Sequence, residues 1–284
     1  MICKLISLTK TAKCNKMKTD WMQEEQTLIF ESHAHYDDGA FEEDRDALLG
    51  SMQQNGIECV VNVSSSMDSV KRTLELMERY PYVYGALGIH PSDIADLDEE
   101  GLAWIAQQFS HPKAVAVGEI GLDYYWDKEK DVQARQREWF ARQLALAKDL
   151  DKPVIIHSRD AAKDTYDVLE ACGGSQIRSV VHCFSYTKET AQAYLKWDYY
   201  FGIGGVVTFN NAKKLKEAVE VIPLERILLE TDSPYLAPVP FRGKRNSSLN
   251  LPYVAEEIAR IKGTDVQTVI EVTNRNAKTF FGIE

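Results

Sequence analysis

The chain has no Cys-x-x-Cys, no apolar stretch of membrane-spanning length, no Gly-x-Gly-x-x-Gly after its first strand-like run and no surplus of basic residues. Each absence narrows the field. The five cysteines (Cys3, Cys14, Cys59, Cys172 and Cys183) are odd in number and far apart, which argues against a disulfide framework or a thiolate zinc site. Cys59 and Cys183 fall inside apolar runs, where a thiol behaves as a small hydrophobe. A reducing cytoplasm is the expected location. Without a spanning segment, no membrane partner is expected. The missing glycine fingerprint argues against an open dinucleotide-binding sheet. The formal charge of −10 leaves out the basic face that duplex-gripping proteins show. An acidic chain can still act on phosphates if bound metal ions supply positive charge locally.

What is present is a regular alternation. The chain has 284 residues, 44% of them hydrophobic, a length that a single (β/α)8 barrel can fill. Residues 1–26 differ from the rest: Met1 to Lys18 carries five lysines and no acid, with no apolar run long enough for a signal sequence. This stretch reads as a disordered or accessory tail, and Met17 and Met22 leave a downstream start open. Over 27–284, taken as one domain, strand-like apolar runs are expected at 27–35, 59–63, 83–90, 114–119, 153–157, 179–182, 199–204 and 226–232. Helices are expected between them, at 44–55, 67–80, 97–109, 128–150, 161–171, 188–196 and 212–221, with two more at 252–262 and 266–281. Near-continuous apolar strands separated by helices imply a parallel sheet covered on its outer face, and eight such units point to a closed TIM barrel, an α/β fold.

The chemistry sits at the strand ends. His33 and His35 alternate with Ala34 along the first strand, so both imidazoles project from the same face. Later strands end on His90, Glu119, His157, His182 and Asp232. In a barrel the carboxyl ends of all strands converge on one mouth, which makes neighbours of residues far apart in sequence. Burying so many ionisable groups without a metal is costly. The donors suit two divalent ions: His33, His35 and Asp232 for one, His157 and His182 for the other, with the two oxygens of Glu119 as a bridge. Such a pair shares an activated hydroxide. Asp232 can both ligate and take a proton from the attacking water, and with Glu119 it forms the expected catalytic pair. His90 is placed at the substrate's phosphate. Zinc, manganese or magnesium all fit this donor set.

These residues lie in motifs that resemble the TatD-type metal-dependent hydrolases and deoxyribonucleases of the amidohydrolase-like superfamily. The motifs are Ser-His-Ala-His-Tyr-Asp (32–37), Gly-Ile-His-Pro (88–91), Gly-Glu-Ile-Gly-Leu-Asp-Tyr (118–124), Ile-His-Ser-Arg-Asp-Ala (156–161), His-Cys-Phe-Ser (182–185), Glu-Thr-Asp-Ser-Pro-Tyr-Leu-Ala-Pro (230–238) and Arg-Gly-Lys-Arg-Asn (242–246). The resemblance covers 28–282 and implies a divalent-metal site at His33, His35, Glu119, His157, His182 and Asp232, together with phosphodiester hydrolysis. The family's usual glycine after His-Cys-Phe-Ser is Tyr186 here, and Phe241 stands where a histidine is common. Both departures touch the substrate mouth rather than the ligands.

The long connection after Asp232 holds Arg242, Lys244 and Arg245, a tight basic cluster expected to contact substrate, and Arg159 is a further phosphate-facing candidate. The aromatic run Tyr124-Tyr125-Trp126 either stacks on an unpaired base or packs the top of the barrel. The leading expectation is a DNA phosphodiesterase, an exonuclease on single-stranded or frayed ends. The alternatives are a metal-dependent esterase or amidase, such as a deacylase of aminoacyl-tRNA or of a small metabolite, and a non-catalytic metal-dependent scaffold. Oligomeric state is open, a monomer included.

Overall fold

Eight short strands, each paired in parallel with the next, form one sheet in the order β1 to β8. The computed structural model describes residues 28–284, so the tail expected over 1–26 lies outside the described residues. The strands are β1 (Ile29–Ala34), β2 (Ile57–Val63), β3 (Val83–Leu87), β4 (Ala114–Asp123), β5 (Val154–Arg159), β6 (Ser179–Val181), β7 (Tyr200–Ile203) and β8 (Ile227–Leu229). The helices that cover them are α1 (Arg45–Ser51), α2 (Met67–Arg79), α3 (Glu99–Gln108), α4 (Lys130–Asp149), α5 (Ala162–Ala171), α6 (Lys188–Leu195) and α7 (Lys213–Val221), followed by α8 (Leu251–Lys262) and α9 (Val266–Phe281). The ring closes between β1 and β8. His35 N donates to Ser233 O at 2.8 Å and Asp232 N donates to His33 O at 3.0 Å. This is the expected TIM barrel.

Helix starts follow their caps. Ser66 accepts from Ser69 N ahead of α2, Asp98 from Gly101 N ahead of α3, and Asp265 from Thr268 N ahead of α9. Gly263 and Gly282 end α8 and α9 in the left-handed conformation. The barrel interior is filled by one apolar cluster drawing Phe30, Val61, Ala86, Ala116, Ile155, Val180, Tyr200 and Leu228 from the successive strands. Helix α9 closes its amino-terminal end, where Phe281 stacks on Phe30 at 5.7 Å and Phe280 meets Tyr200 edge-on at 5.2 Å. The opposite end, where the strands finish, stays free for polar residues.

Several boundaries differ from the sequence expectation. Strand β3 stops at Leu87 instead of reaching His90, because Pro91 has no amide hydrogen for a ladder and His90 instead caps a short 3₁₀ turn, Pro91–Asp96. Strand β8 stops at Leu229, before Asp232 turns into the left-handed region at φ 57°. Helix α1 ends at Ser51, and a separate 3₁₀ turn over Gln53–Asn55 leads into left-handed Gly56. Strand β4 runs four residues beyond Glu119, to Asp123, paired with β5 through Gly121↔His157 and Asp123↔Arg159.

That extension depends on Gly121. Its φ is +147°, and a Cβ there would sit 1.9 Å from the His157 carbonyl oxygen, a backbone atom held in the neighbouring strand. Gly121→Ala is therefore expected to lower unfolding free energy by about 3 kcal/mol, read as a shift in the urea midpoint. An unchanged midpoint would show that β4 and β5 can separate without loss.

Candidate metal centre

Six side chains carried on or just beyond five strands meet at the mouth. His33 and His35 leave β1 on one face, with their Nε2 atoms 3.2 Å apart. Asp232 Oδ1 arrives across the β1–β8 seam, 3.3 Å from His35 Nε2 and 3.8 Å from His33 Nε2. Glu119, in the middle of β4, has one oxygen 3.5 Å from His35 Nε2. Its other oxygen is 3.2 Å from His157 Nδ1 and 3.0 Å from His182 Nε2. The carboxylate thus spans two groups of imidazoles. His33 also stacks on His182, centroids 3.9 Å apart, so the histidines form one continuous cluster. Four overlapping triads have donor atoms close enough for a shared cation: His33, His182 and Asp232; His33, His35 and Glu119; Glu119, His157 and His182; and His90, Asp123 and His157. His182 therefore stands with His33 as well as with His157, so the expected division into two separate ligand sets is not a clean one.

The residues fit a divalent cation. His35 Nδ1 faces Val63 O at 2.7 Å, and His157 Nε2 faces Asp123 Oδ2 at 3.1 Å. Each contact places the ring proton on the outer nitrogen and turns a lone pair toward Glu119. Nitrogen and carboxylate donors in this mixture are those of zinc and manganese sites. The field of the cluster is cationophilic. Burial disfavours a charged His35, yet the Asp232 hydrogen bond and the negative charges of Glu119, Asp232 and Asp37 outweigh it and lift the imidazole to about 9. His157 and His182 are raised against the same burial by Asp123, Glu119 and Glu230. His33 is pushed well below its usual range by burial and by His182. Glu119 would rise on burial alone, but the surrounding histidines hold it well below the ordinary carboxylate range. A field that gathers protons on three imidazoles also favours a divalent ion.

An outer layer of carboxylates supports these six, and the sequence reading missed it. Glu31, fully buried two residues before His33, accepts from Thr231 N at 2.9 Å and Thr231 Oγ1 at 2.7 Å, tying β1 to the segment that carries Asp232. Asp123 touches His157 and caps the amides of Tyr125 and Trp126 at 2.9 and 3.0 Å. Glu230, also buried, accepts from Cys183 N at 2.5 Å and lies 3.7 Å from His182 Nδ1. A Cβ on Gly202 would lie 1.9 Å from the Glu230 carboxylate, so β7 needs a glycine where Glu230 passes beneath His182. The signal was in the period-two spacing: Glu31 precedes His33, and Glu230 precedes Asp232, by two residues, while Asp123 follows Glu119 by four.

The remaining expected contacts separate into two groups. His90 and Arg159 line the same cavity of about 920 Å³ as His35, Glu119, His157 and Asp232. His90 Nδ1 accepts from Ser92 N at 3.1 Å, which leaves Nε2 to carry the ring proton. Arg242, Lys244 and Arg245 do not line that cavity. Arg245 is held in a two-pronged ion pair with Asp44 at 2.6–2.7 Å and donates to Ala40 O, while Arg242 lies over the Phe209 ring at 4.1 Å. Asp44 thus neutralises the charge of Arg245. Asn246 is buried and holds the loop by donating to Thr231 O at 3.0 Å. Tyr186, in place of the expected glycine, is bonded through its hydroxyl to Ser158 Oγ at 2.9 Å and accepts from Ala161 N at 3.3 Å.

The chain is similar to known metal-dependent hydrolases. The profile of the TatD related DNase family matches residues 30–282. The chain is 42% identical to a metal-dependent hydrolase, YabD, of Bacillus subtilis, over 90% of this chain and all of that protein. It is 30% identical to a protein of Escherichia fergusonii named 3'-5' ssDNA/RNA exonuclease TatD, over 90% of this chain and 99% of that one. The crystal structure of YJJV, a TatD homologue from Escherichia coli, superposes with a TM-score of 0.85 at 29% identity, covering 92% of this chain and all of that chain.

If Glu230 orients His182, then Glu230→Gln should weaken divalent-metal binding about tenfold in a chelator competition titration, with the far-UV circular dichroism unchanged. Equal affinity in the two proteins would reduce Glu230 to a cap on Cys183 N.

Proposed function

On the premise that the chain belongs to the TatD-related DNase family and is a metal-dependent hydrolase, we propose that it cleaves phosphodiester bonds of DNA as an exonuclease on single-stranded or frayed ends, with two divalent ions held at the barrel mouth. The observation that carries this reading is the position of Glu119, whose two oxygens face different imidazole groups within one cavity. His33, His35 and Asp232 would hold one ion, and His157 and His182 the other, with Glu119 shared and His182 also near the first. Magnesium, manganese and zinc are the candidates. Bound there, the ions supply Lewis acidity toward a phosphoryl oxygen and lower the pKa of water.

The protein's own groups do the rest. Asp232 is the most solvent-exposed of the carboxylates in the cluster, with a side-chain exposure of 16% against 6% for Glu119, so it is placed to accept a proton from the attacking water. His90 Nε2–H donates to a non-bridging phosphate oxygen and orients the group for in-line attack. Arg159 meets the charge of the neighbouring phosphate. The cavity falls in the range of small-ligand pockets, roughly 300–1,000 Å³, and suits a chain end better than a duplex. The net charge of −10 supports the same preference, since a long duplex would bring many phosphates against an acidic surface. The exonuclease named among the relatives acts on single-stranded DNA and RNA, which supports the substrate class.

The test is an end-labelled single strand incubated with the protein reloaded in turn with magnesium, manganese or zinc. Cleavage from an end is expected with at least one ion, and Glu119→Gln should reduce it to background. Asp232→Asn should slow turnover by roughly 10²–10⁴-fold. Hydrolysis of p-nitrophenyl acetate with no phosphodiester cleavage under any ion would favour the esterase reading instead.

A further inference from the structure

Beside the metal centre, the cavity wall carries a large exposed aromatic group. Trp126, which lines the cavity, is 67% exposed and Tyr125 44% exposed, although β4, fully buried, ends only at Asp123. The pair is not loosely held. Asp123 accepts from both backbone amides, and the same carboxylate lies 3.1 Å from His157 Nε2. One side chain therefore fixes the position of the aromatic pair relative to the imidazole cluster.

Arg159 completes the arrangement. Its guanidinium lies 3.9 Å from the Tyr125 ring centroid and 5.6 Å from that of Trp126. Asp164, the carboxylate nearest in sequence after Asp160, is already bonded to Tyr124 Oη and Arg137. Among the described residues no side chain forms a hydrogen bond or ion pair with the Arg159 guanidinium. Stacking occupies the face of a guanidinium and leaves its in-plane N–H groups free for a phosphate. The end of β5 that carries Arg159 is braced by the Tyr186 hydroxyl, through Ser158 and Ala161. The Tyr125 ring is covered by Arg159 at 3.9 Å and approached by Lys128 Nζ at 5.5 Å, whereas Trp126 meets Tyr125 edge-on at 4.8 Å, has Arg159 only at 5.6 Å and is the more exposed of the two rings. The indole is the open face of the group.

We propose that Trp126 and Arg159 form a nucleotide subsite next to the metal centre: the indole stacks on one unpaired base and the guanidinium pairs with the adjoining phosphate. This rests on the phosphodiesterase reading and adds to it the residues that select an unpaired strand, because a base inside a duplex has no free face to offer Trp126. Tyr186 acts as a positioning residue for Arg159. The acidic balance of the chain is consistent with this division, since affinity comes from stacking and one fixed cation rather than from a basic surface.

The experiment is a protein–substrate cycle on the metal-loaded enzyme. Binding of a fluorescein-labelled, phosphorothioate-linked single strand is followed by anisotropy, with and without the terminal base, for the wild type, Trp126→Ala, Trp126→Phe and Arg159→Ala. Removing the indole should weaken binding of the intact strand about tenfold. Removing the base should do the same to the wild type, and the two losses should not add. Trp126→Phe should recover most of the affinity, and Arg159→Ala should flatten its salt dependence. Additive losses, or an intact strand bound equally by Trp126→Ala, would overturn the subsite while leaving the hydrolase reading intact. Trp126-dependent binding of a strand whose unmodified form is never cleaved would retain the subsite and overturn the exonuclease reading.

Discussion

Everything at the mouth depends on the closure of β1 against β8. The two strands are joined by few backbone bonds, and side chains complete the seam: Glu31 accepts twice from Thr231, and Ser32 Oγ donates to Leu229 O at 2.8 Å. The backbone bonds of that seam belong to the candidate ligand residues and their neighbour, since His33 O accepts from Asp232 N and His35 N donates to Ser233 O. Closing the barrel and assembling the His33, His35 and Asp232 group are thus one event. A small shift at the seam would move all three donor atoms together. Glu31 is fully buried in the seam, and this burial lifts its carboxyl to about 8 despite the hydrogen bonds from Thr231.

The centre is built in two layers with different physical tasks. The inner six residues present donor atoms within a few ångströms of each other, a costly arrangement of buried charge unless a cation balances it. In the outer layer Asp123 lies 3.1 Å from His157 Nε2 and fixes that ring, while Glu230 lies 3.7 Å from His182 Nδ1. Glycines make room for this layer: Gly202 lets Glu230 pass below His182, and Gly121 lets β4 approach the carbonyl of His157.

Much of the barrel could be read before folding. The alternation of apolar runs with amphipathic segments placed the eight strands and the helices between them. Errors gathered at strand ends, for a physical reason. A strand continues as long as its neighbour offers a ladder, and Asp123 is strand because Arg159 pairs with it. Asp232 is not, because a left-handed residue turns the chain toward the seam. Adjacency in sequence likewise could not reveal that Asp44 lies opposite Arg245 and that Arg242 lies over the Phe209 ring.

The sequence by itself determined the period of the fold, the face on which each strand presents its side chains and the chemical identity of the six candidate ligands. Those depend on local geometry and on side-chain chemistry, which residue order specifies directly. Only the tertiary structure decided which donor faces which. His182 stands beside His33 as well as His157, Asp123 ties the aromatic pair to a ligand, and Arg159 rather than Arg245 borders the cavity. These relations follow from ring closure and register between strands far apart in the chain, distances that no local pattern encodes.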